Sequence, residues 1–105
     1  MHMGIRKELI EFDQFSKDEP IAVQTSLGPQ FNRTNILAIS QYSNGNCAPM
    51  RRDLLVAEAK YLVFAKSLNH YLIKDLEQCL KKINLSKDYE ILNKYQNLQI
   101  YKKIN

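Results

Sequence analysis

Apolar residues near the start of the chain follow a helical spacing. Ile5, Leu9, Phe12 and Phe15 are separated by four, three and three residues, which places them on one face of an amphipathic helix. The opposite face of this stretch is charged. We therefore predict a short N-terminal helix from about Gly4 to Phe15.

The longest apolar pattern runs from Met50 to Asn84, directly after Pro49 and without an internal Gly or Pro. Pro49 suits the first turn of a helix, and Asp53 follows at the positive end of the helix dipole. In a heptad arrangement most core positions are apolar, with one amide among them: Leu55, Leu62, Asn69, Leu72 and Leu76. The predicted fold class is mainly α, a small helical bundle built on one long central helix over about 50–84.

In two other segments the sequence does not favour a single type of secondary structure. Residues 20–42 contain two short β-branched stretches on either side of Gly28-Pro29, a strong turn signal. These stretches form either a short β-hairpin or two further helices. Ser86 can cap a last helix that begins at Lys87. Apolar and polar residues alternate over 98–104, so residues 99–105 either lie outside that helix or form a flexible tail.

Composition indicates one folded domain spanning residues 1–105, with residues 1–2 as a cloning remnant. Of the residues, 45 % are hydrophobic and 25 % charged, the balance of a globular protein. The longest apolar run, Tyr61–Ala65, is far too short to cross a bilayer, and no apolar leader precedes Ile5. These features predict a cytoplasmic protein. The bias toward Ile, Lys, Asn and Tyr suggests an AT-rich source, such as a phage, a plasmid or a low-GC bacterium.

The residues offer little material for catalysis or metal binding. Cys47 and Cys79 lack metal-ligand spacing. A disulfide between them is possible by number alone, but we expect both to be small buried apolar groups. Outside the cloning remnant His70 is the only histidine, and neither a nucleophile nor a glycine-rich loop is marked beside it. We predict no enzymatic activity, no catalytic residue, no cofactor, no metal and no small-molecule substrate.

The charge distribution supports one alternative function. The net charge is +4, and residues 51–105 carry eleven basic against six acidic residues. The alternative is a basic nucleic-acid-binding accessory protein that uses Arg51, Arg52, Lys81, Lys82, Lys102 and Lys103. Acids lie between these residues, so a solvated helix face explains the pattern equally well.

The favoured function is a non-enzymatic interaction or regulatory protein that associates with itself or with a target protein through an apolar helix. A helix over 50–84 would be about 50 Å long, longer than the roughly 35 Å diameter of a globule of this size. Part of its apolar face would therefore need a partner, most simply a second copy of the chain. We predict a homodimer with Leu55, Leu62, Asn69, Leu72 and Leu76 at the interface. The alternative is a break in the helix near 67–70 that folds its two halves into a hairpin and gives a compact monomer.

One prediction tests the assignment of the core. Leu62→Asp or Leu72→Asp should abolish folding, because an unpaired buried charge costs several kcal/mol against a total stability of about 5 to 10 kcal/mol. Lys81→Asp should be tolerated. Thermal melts followed by circular dichroism measure the effect, and a Leu62→Asp protein with an unchanged melting temperature would refute the assignment.

Overall fold

The computed structural model describes residues 3–31, 33–39, 58–66, 78–79, 81 and 86–104. In this part of the chain a helix packs on a five-stranded mixed sheet. The helix α1 spans Met3–Ser16. The strands are β1 Ile21–Gln24, β2 Ile36–Ile39, β3 Tyr61–Ala65, β4 Tyr89–Leu92 and β5 Leu98–Lys103, with 3₁₀ helices at Thr25–Gln30 and Ser86–Asp88.

The order of the strands in the sheet is β2-β1-β3-β5-β4. Strands β2, β1 and β3 are parallel, with Ile21 opposite both Ile36 and Tyr61. Strand β5 is antiparallel to β3 and to β4, with Val63 opposite Ile100 and Ile91 opposite Tyr101. The sheet is therefore parallel on one side of β3 and antiparallel on the other.

The prediction of a mainly α helical bundle is wrong, because the fold is α/β. The long helix over 50–84 is interrupted by β3, although Gln78, Cys79 and Lys81 are helical. All five residues of β3 are buried. A short apolar run that is buried on both faces gives no alternation, so the heptad pattern extended through it by coincidence.

The other open segments are resolved as strands with unexpected partners. Within residues 20–42, β1 and β2 pair in parallel instead of as a hairpin, and the 3₁₀ helix Thr25–Gln30 lies in the connection between them. The predicted last helix from Lys87 is wrong, since β4 begins at Tyr89. Residues 99–103, part of the segment 99–105 that is predicted to lie outside the last helix or to be a flexible tail, belong to β5 between β3 and β4.

The predicted N-terminal helix is confirmed, and it covers one face of the sheet. Ile5, Leu9 and Phe12 are buried and pack with the sheet residues Ile21, Val23, Tyr61, Val63, Ala65, Leu98 and Ile100. Phe15, predicted to lie on the same apolar face, is instead 45 % exposed. Alternate sheet residues point to the second face, where Ala22, Leu62, Phe64 and Tyr101 are also buried.

Cys79 is buried and disulfide-bonded, so the expectation of a free buried thiol is wrong for this residue. The other cysteine of the sequence, Cys47, lies outside the described residues. Disulfides are most common in oxidising compartments, so this bond counts against the predicted cytoplasmic location.

Arg33 fastens the end of α1 to the segment that leads into β2. Its side chain is 8 % exposed and forms an ion pair with Asp13 at 3.3 Å. The guanidinium also donates to Ser16 Oγ at 2.7 Å, to Asn35 Oδ1 at 2.8 Å and to the backbone carbonyl of Glu19. Five N–H groups in a rigid fork suit this role, because one side chain satisfies acceptors from three segments.

Replacing this guanidinium should destabilise the protein. In Arg33→Met the acceptors of Ser16, Asn35 and Glu19 lose a donor, which we expect to cost about 2 to 4 kcal/mol. Arg6→Met is the matched control, because Arg6 is exposed on α1 and should change stability by less than about 0.5 kcal/mol. Urea denaturation measures both variants, and equal effects would contradict a clamping role for Arg33.

Candidate functional site

The strand β4 forms one border of the sheet, and its backbone groups alternate in direction. The Ile104 N–H donates to Asp88 O at 2.9 Å, and hydrogen-bonded pairs alternate along an antiparallel ladder. Glu90 and Leu92 therefore bond to β5. Tyr89 and Ile91 direct their N–H and C=O groups outward, where no described residue pairs with them. We name Tyr89–Leu92 the β4 edge.

The side chains of the β4 edge combine apolar surface with opposite charges. Ile91 is 50 % exposed and lies opposite Tyr101 on the face of the sheet away from α1. Glu90 is exposed and lies opposite Lys102 on the α1 side. Opposite charges on facing positions stabilise an antiparallel pair, so Lys102 is adjacent to an acid rather than part of a uniform basic patch.

Tyr89 fixes the start of the β4 edge to the loop before β3. Its side chain is buried, and its hydroxyl donates to Ala59 O at 2.9 Å. Burial, and secondarily the charge of Asp88, raises the pKa of Tyr89 from 10.0 to about 12. The neutral phenol is the form that fits this environment, since an ionised hydroxyl could no longer donate to the carbonyl.

The loop after β4 is fastened to α1. The Glu8 carboxylate accepts the backbone N–H of Asn97 at 2.9 Å and also its side-chain amide. Lys94 Nζ lies 4.6 Å from the ring centroid of Phe15, within the range of a cation–π interaction. Burial, followed by the charges of Glu11 and Glu8, raises the pKa of Tyr95 in the same loop. These contacts hold the end of the β4 edge against the helix.

The residues predicted to form the interface are not shown to share one helix face. Leu62 is fully buried in β3, so its side chain is not available to a partner in this fold. The remaining members of that set lie outside the described residues: Leu55, Asn69, Leu72 and Leu76. The surface at the β4 edge was missed because Ile91 was assigned to a helix, although the alternation over 98–104 was a signal for a strand.

The predicted nucleic-acid residues are only partly described. Lys81 is exposed, whereas Lys102 and Lys103 are half-buried at the end of β5. Lys103 lies opposite Tyr89, and its N–H donates to Lys60 O at 2.8 Å. Arg51, Arg52 and Lys82 lie outside the described residues. The two lysines of β5 therefore lie beside β4, not on the helix face assumed from the sequence.

The described residues hold no group of three or more histidine, cysteine, aspartate or glutamate side chains suited to a metal ion. Within the same part of the chain, no helix has the length and apolar character needed to cross a bilayer. His70, the candidate base from the sequence, lies outside the described residues.

Comparisons with known proteins give no match to a protein family, a curated protein or a solved structure. Functional inference for this chain therefore starts from its geometry.

The Tyr89 hydroxyl predicts a specific pH dependence of stability. Because its folded pKa is raised to about 12, its contribution is complete below about pH 10 and is lost as the pH rises toward 12. Tyr89→Phe should be less stable by about 1 kcal/mol near neutral pH, where the hydrogen bond to Ala59 is lost.

The difference in unfolding free energy between wild type and Tyr89→Phe should therefore shrink as the pH increases from about 10 to about 12. Urea denaturation of both proteins across this range measures it, and ionisation of the other tyrosines affects both alike. A difference that is constant with pH would contradict the assigned role of the hydroxyl.

Proposed function

We propose that this protein is a non-enzymatic interaction protein that associates with a second copy of itself by strand addition at the β4 edge. The observation that carries the proposal is the outward-facing backbone of Tyr89 and Ile91 beside a half-exposed Ile91 side chain. An edge strand with unpaired N–H and C=O groups is a template for another strand. The self-association predicted from the sequence used a long apolar helix, which β3 interrupts. The proposed interface is therefore the β4 edge instead of that helix.

A second copy suits the edge because the hydrogen-bond pattern is self-complementary. When two β4 strands meet antiparallel about a two-fold axis at Ile91, each Ile91 offers one N–H and one C=O to the other. The two half-exposed Ile91 side chains then lie side by side on the same face. Their contact removes apolar surface from water.

Charge also favours the antiparallel arrangement. The chain carries Asp88 before β4 and Lys94 after it. The two-fold at Ile91 brings the start of one β4 strand, which Asp88 precedes, to the end of the other, which Lys94 follows, so opposite charges meet at each end of the paired strands. A parallel pairing in register would instead place Glu90 beside Glu90, which is unfavourable.

The nucleic-acid alternative has less support, because Lys102 lies opposite Glu90 and no contact among the described residues favours a phosphate backbone. The cytoplasmic location stays a prediction, and the disulfide at Cys79 counts against it.

Light scattering after size-exclusion chromatography tests the self-association. Wild type at about 100 µM should have twice the 12.3 kDa mass of the chain; a high concentration is used because an interface of one short strand is small and small interfaces are weak. Ile91→Pro should be monomeric, because proline removes an outward N–H without breaking the β4–β5 ladder. Ile91→Val, which keeps the N–H, should remain dimeric.

A charge exchange tests the register independently of proline. Asp88→Lys and Lys94→Asp should each weaken the dimer, and the double variant should restore it. A monomeric wild type at this concentration would refute the proposal. Dimerisation that is unaffected by Ile91→Pro would refute this edge as the interface, and single variants without rescue would refute the antiparallel register.

A further inference from the structure

An exposed aromatic ring lies near the end of α1. Phe15 is 45 % exposed. Its ring is nevertheless held by its neighbours, since its centroid lies 6.1 Å from that of Phe12 and 6.0 Å from that of Tyr61. One exposed apolar side chain is common on a protein surface, but this ring is the outer member of an aromatic cluster.

The loop after β4 adds a second ring and a cation to this cluster. Tyr95 is half-buried, and its ring meets that of Phe12 edge to face with the centroids 6.1 Å apart. Lys94 Nζ lies 4.6 Å from the ring centroid of Phe15 and 5.9 Å from that of Tyr95. Both distances are within the range of a cation–π interaction, so the two rings already accept an ammonium group from within the chain.

Two carboxylates lie near the rings. Burial, followed by the charges of Glu11 and Glu8, raises the pKa of Tyr95, so both carboxylates are close enough to act on its hydroxyl. Glu8 is engaged by the two N–H donors of Asn97. Glu11 is exposed and lies four residues before Phe15, a spacing that makes the two side chains neighbours on the helix surface.

Glu11 has no ion pair within the part of the chain that the structure describes. Lys7 lies one helical turn earlier and Lys94 lies over the adjacent ring, but neither ammonium is paired with this carboxylate. We name Phe15, Tyr95 and Glu11 the Phe15 surface. It combines a fixed aromatic face with an unpaired negative charge.

A guanidinium suits this combination better than an ammonium does. It is planar, so it stacks on an aromatic ring while the N–H groups at its rim donate to a carboxylate. The Lys94 ammonium makes only the first of these contacts. Lys94 is also exposed, and a cation–π interaction at an exposed site is weak, so a better cation can displace it.

We infer that the Phe15 surface binds an arginine side chain of a protein partner, whose guanidinium stacks on Phe15 and donates to Glu11. The surface consists of side chains from α1 and from the loop after β4. It uses none of the outward backbone groups of the β4 edge. The inference therefore does not depend on the proposed self-association.

NMR titration of ¹⁵N-labelled full-length protein tests this surface. The probe is acetyl-Gly-Arg-Gly-amide, and peptides with citrulline or lysine in place of arginine are the controls for charge and for planarity. The arginine peptide should cause saturable shifts of the Glu11, Phe15 and Tyr95 amides with a Kd of about 1 mM. Each control peptide should bind at least about threefold more weakly.

Two variants test the named contacts, each with a matched control. Phe15→Leu keeps an apolar side chain but loses the aromatic face, and it should weaken binding at least about threefold. Ile10→Ala, which removes another exposed apolar side chain from α1, should bind as wild type does. Glu11→Gln should weaken binding by a similar factor. Asp18→Asn should not, since Asp18 is exposed and its backbone carbonyl accepts from Asn35 before β2.

Removal of the internal cation should have the opposite effect. Lys94→Gln uncovers the Phe15 ring and should tighten binding of the arginine peptide at least about twofold. Lys87→Gln removes an exposed lysine before β4 and changes the net charge equally. This control should bind the peptide as wild type does.

Three results would overturn the inference. The first is the absence of saturable shifts with the arginine peptide up to about 10 mM. The second is an equal loss of binding in Glu11→Gln and Asp18→Asn, which would indicate a response to net charge alone. The third is binding that neither Phe15→Leu nor Lys94→Gln changes, which would show that the ring is not the contact.

Discussion

The fold depends on the burial of β3 on both faces and its pairing on both sides. Every residue of Tyr61–Ala65 is buried, and the strand pairs in parallel with β1 and antiparallel with β5. Such a strand has no polar face to turn to solvent, so it is stable only between two strands and beneath covering side chains. Its position determines where the parallel and antiparallel halves of the sheet meet.

The helix α1 then depends on this sheet for its own stability. A helix of this length has little stability in water on its own, and it gains stability by packing Leu9 and Phe12 on the inner face of the sheet. Two polar contacts at opposite parts of the helix fix its direction: Arg33 with Asp13 and Ser16 near its end, and Glu8 with Asn97. The first joins α1 to the parallel half of the sheet, and the second joins it to the antiparallel half.

The sequence predicted elements well where a single periodicity dominated. The spacing of Ile5, Leu9 and Phe12 correctly indicated α1, because one face of that helix is apolar and the other is charged. In contrast, β3 shows neither the spacing of an amphipathic helix nor the alternation of a half-buried strand. The helix predicted for its neighbours was therefore extended through it. The segments that became β1 and β2 were recognised as strand candidates, but parallel pairing depends on contacts between residues distant in sequence, which local propensity does not contain.

The candidate sites were harder to predict than the fold for the same reason. The backbone N–H and C=O of Ile91 point outward only because β5 occupies the other side of β4. Ile91 is inconspicuous in the sequence, one of two consecutive apolar residues between Glu90 and Asn93.

The topology also determines how the β4 edge is connected to the rest of the fold. Strand β5 lies between β4 and β3. The loop Asn93–Asn97 joins β4 to β5, and within it Tyr95 O and Asn97 O contact Lys66 at the end of β3. Glu8 holds the same loop against α1 through Asn97. A change at the β4 edge on dimerisation would therefore reach β3 and α1 through β5 and through this loop.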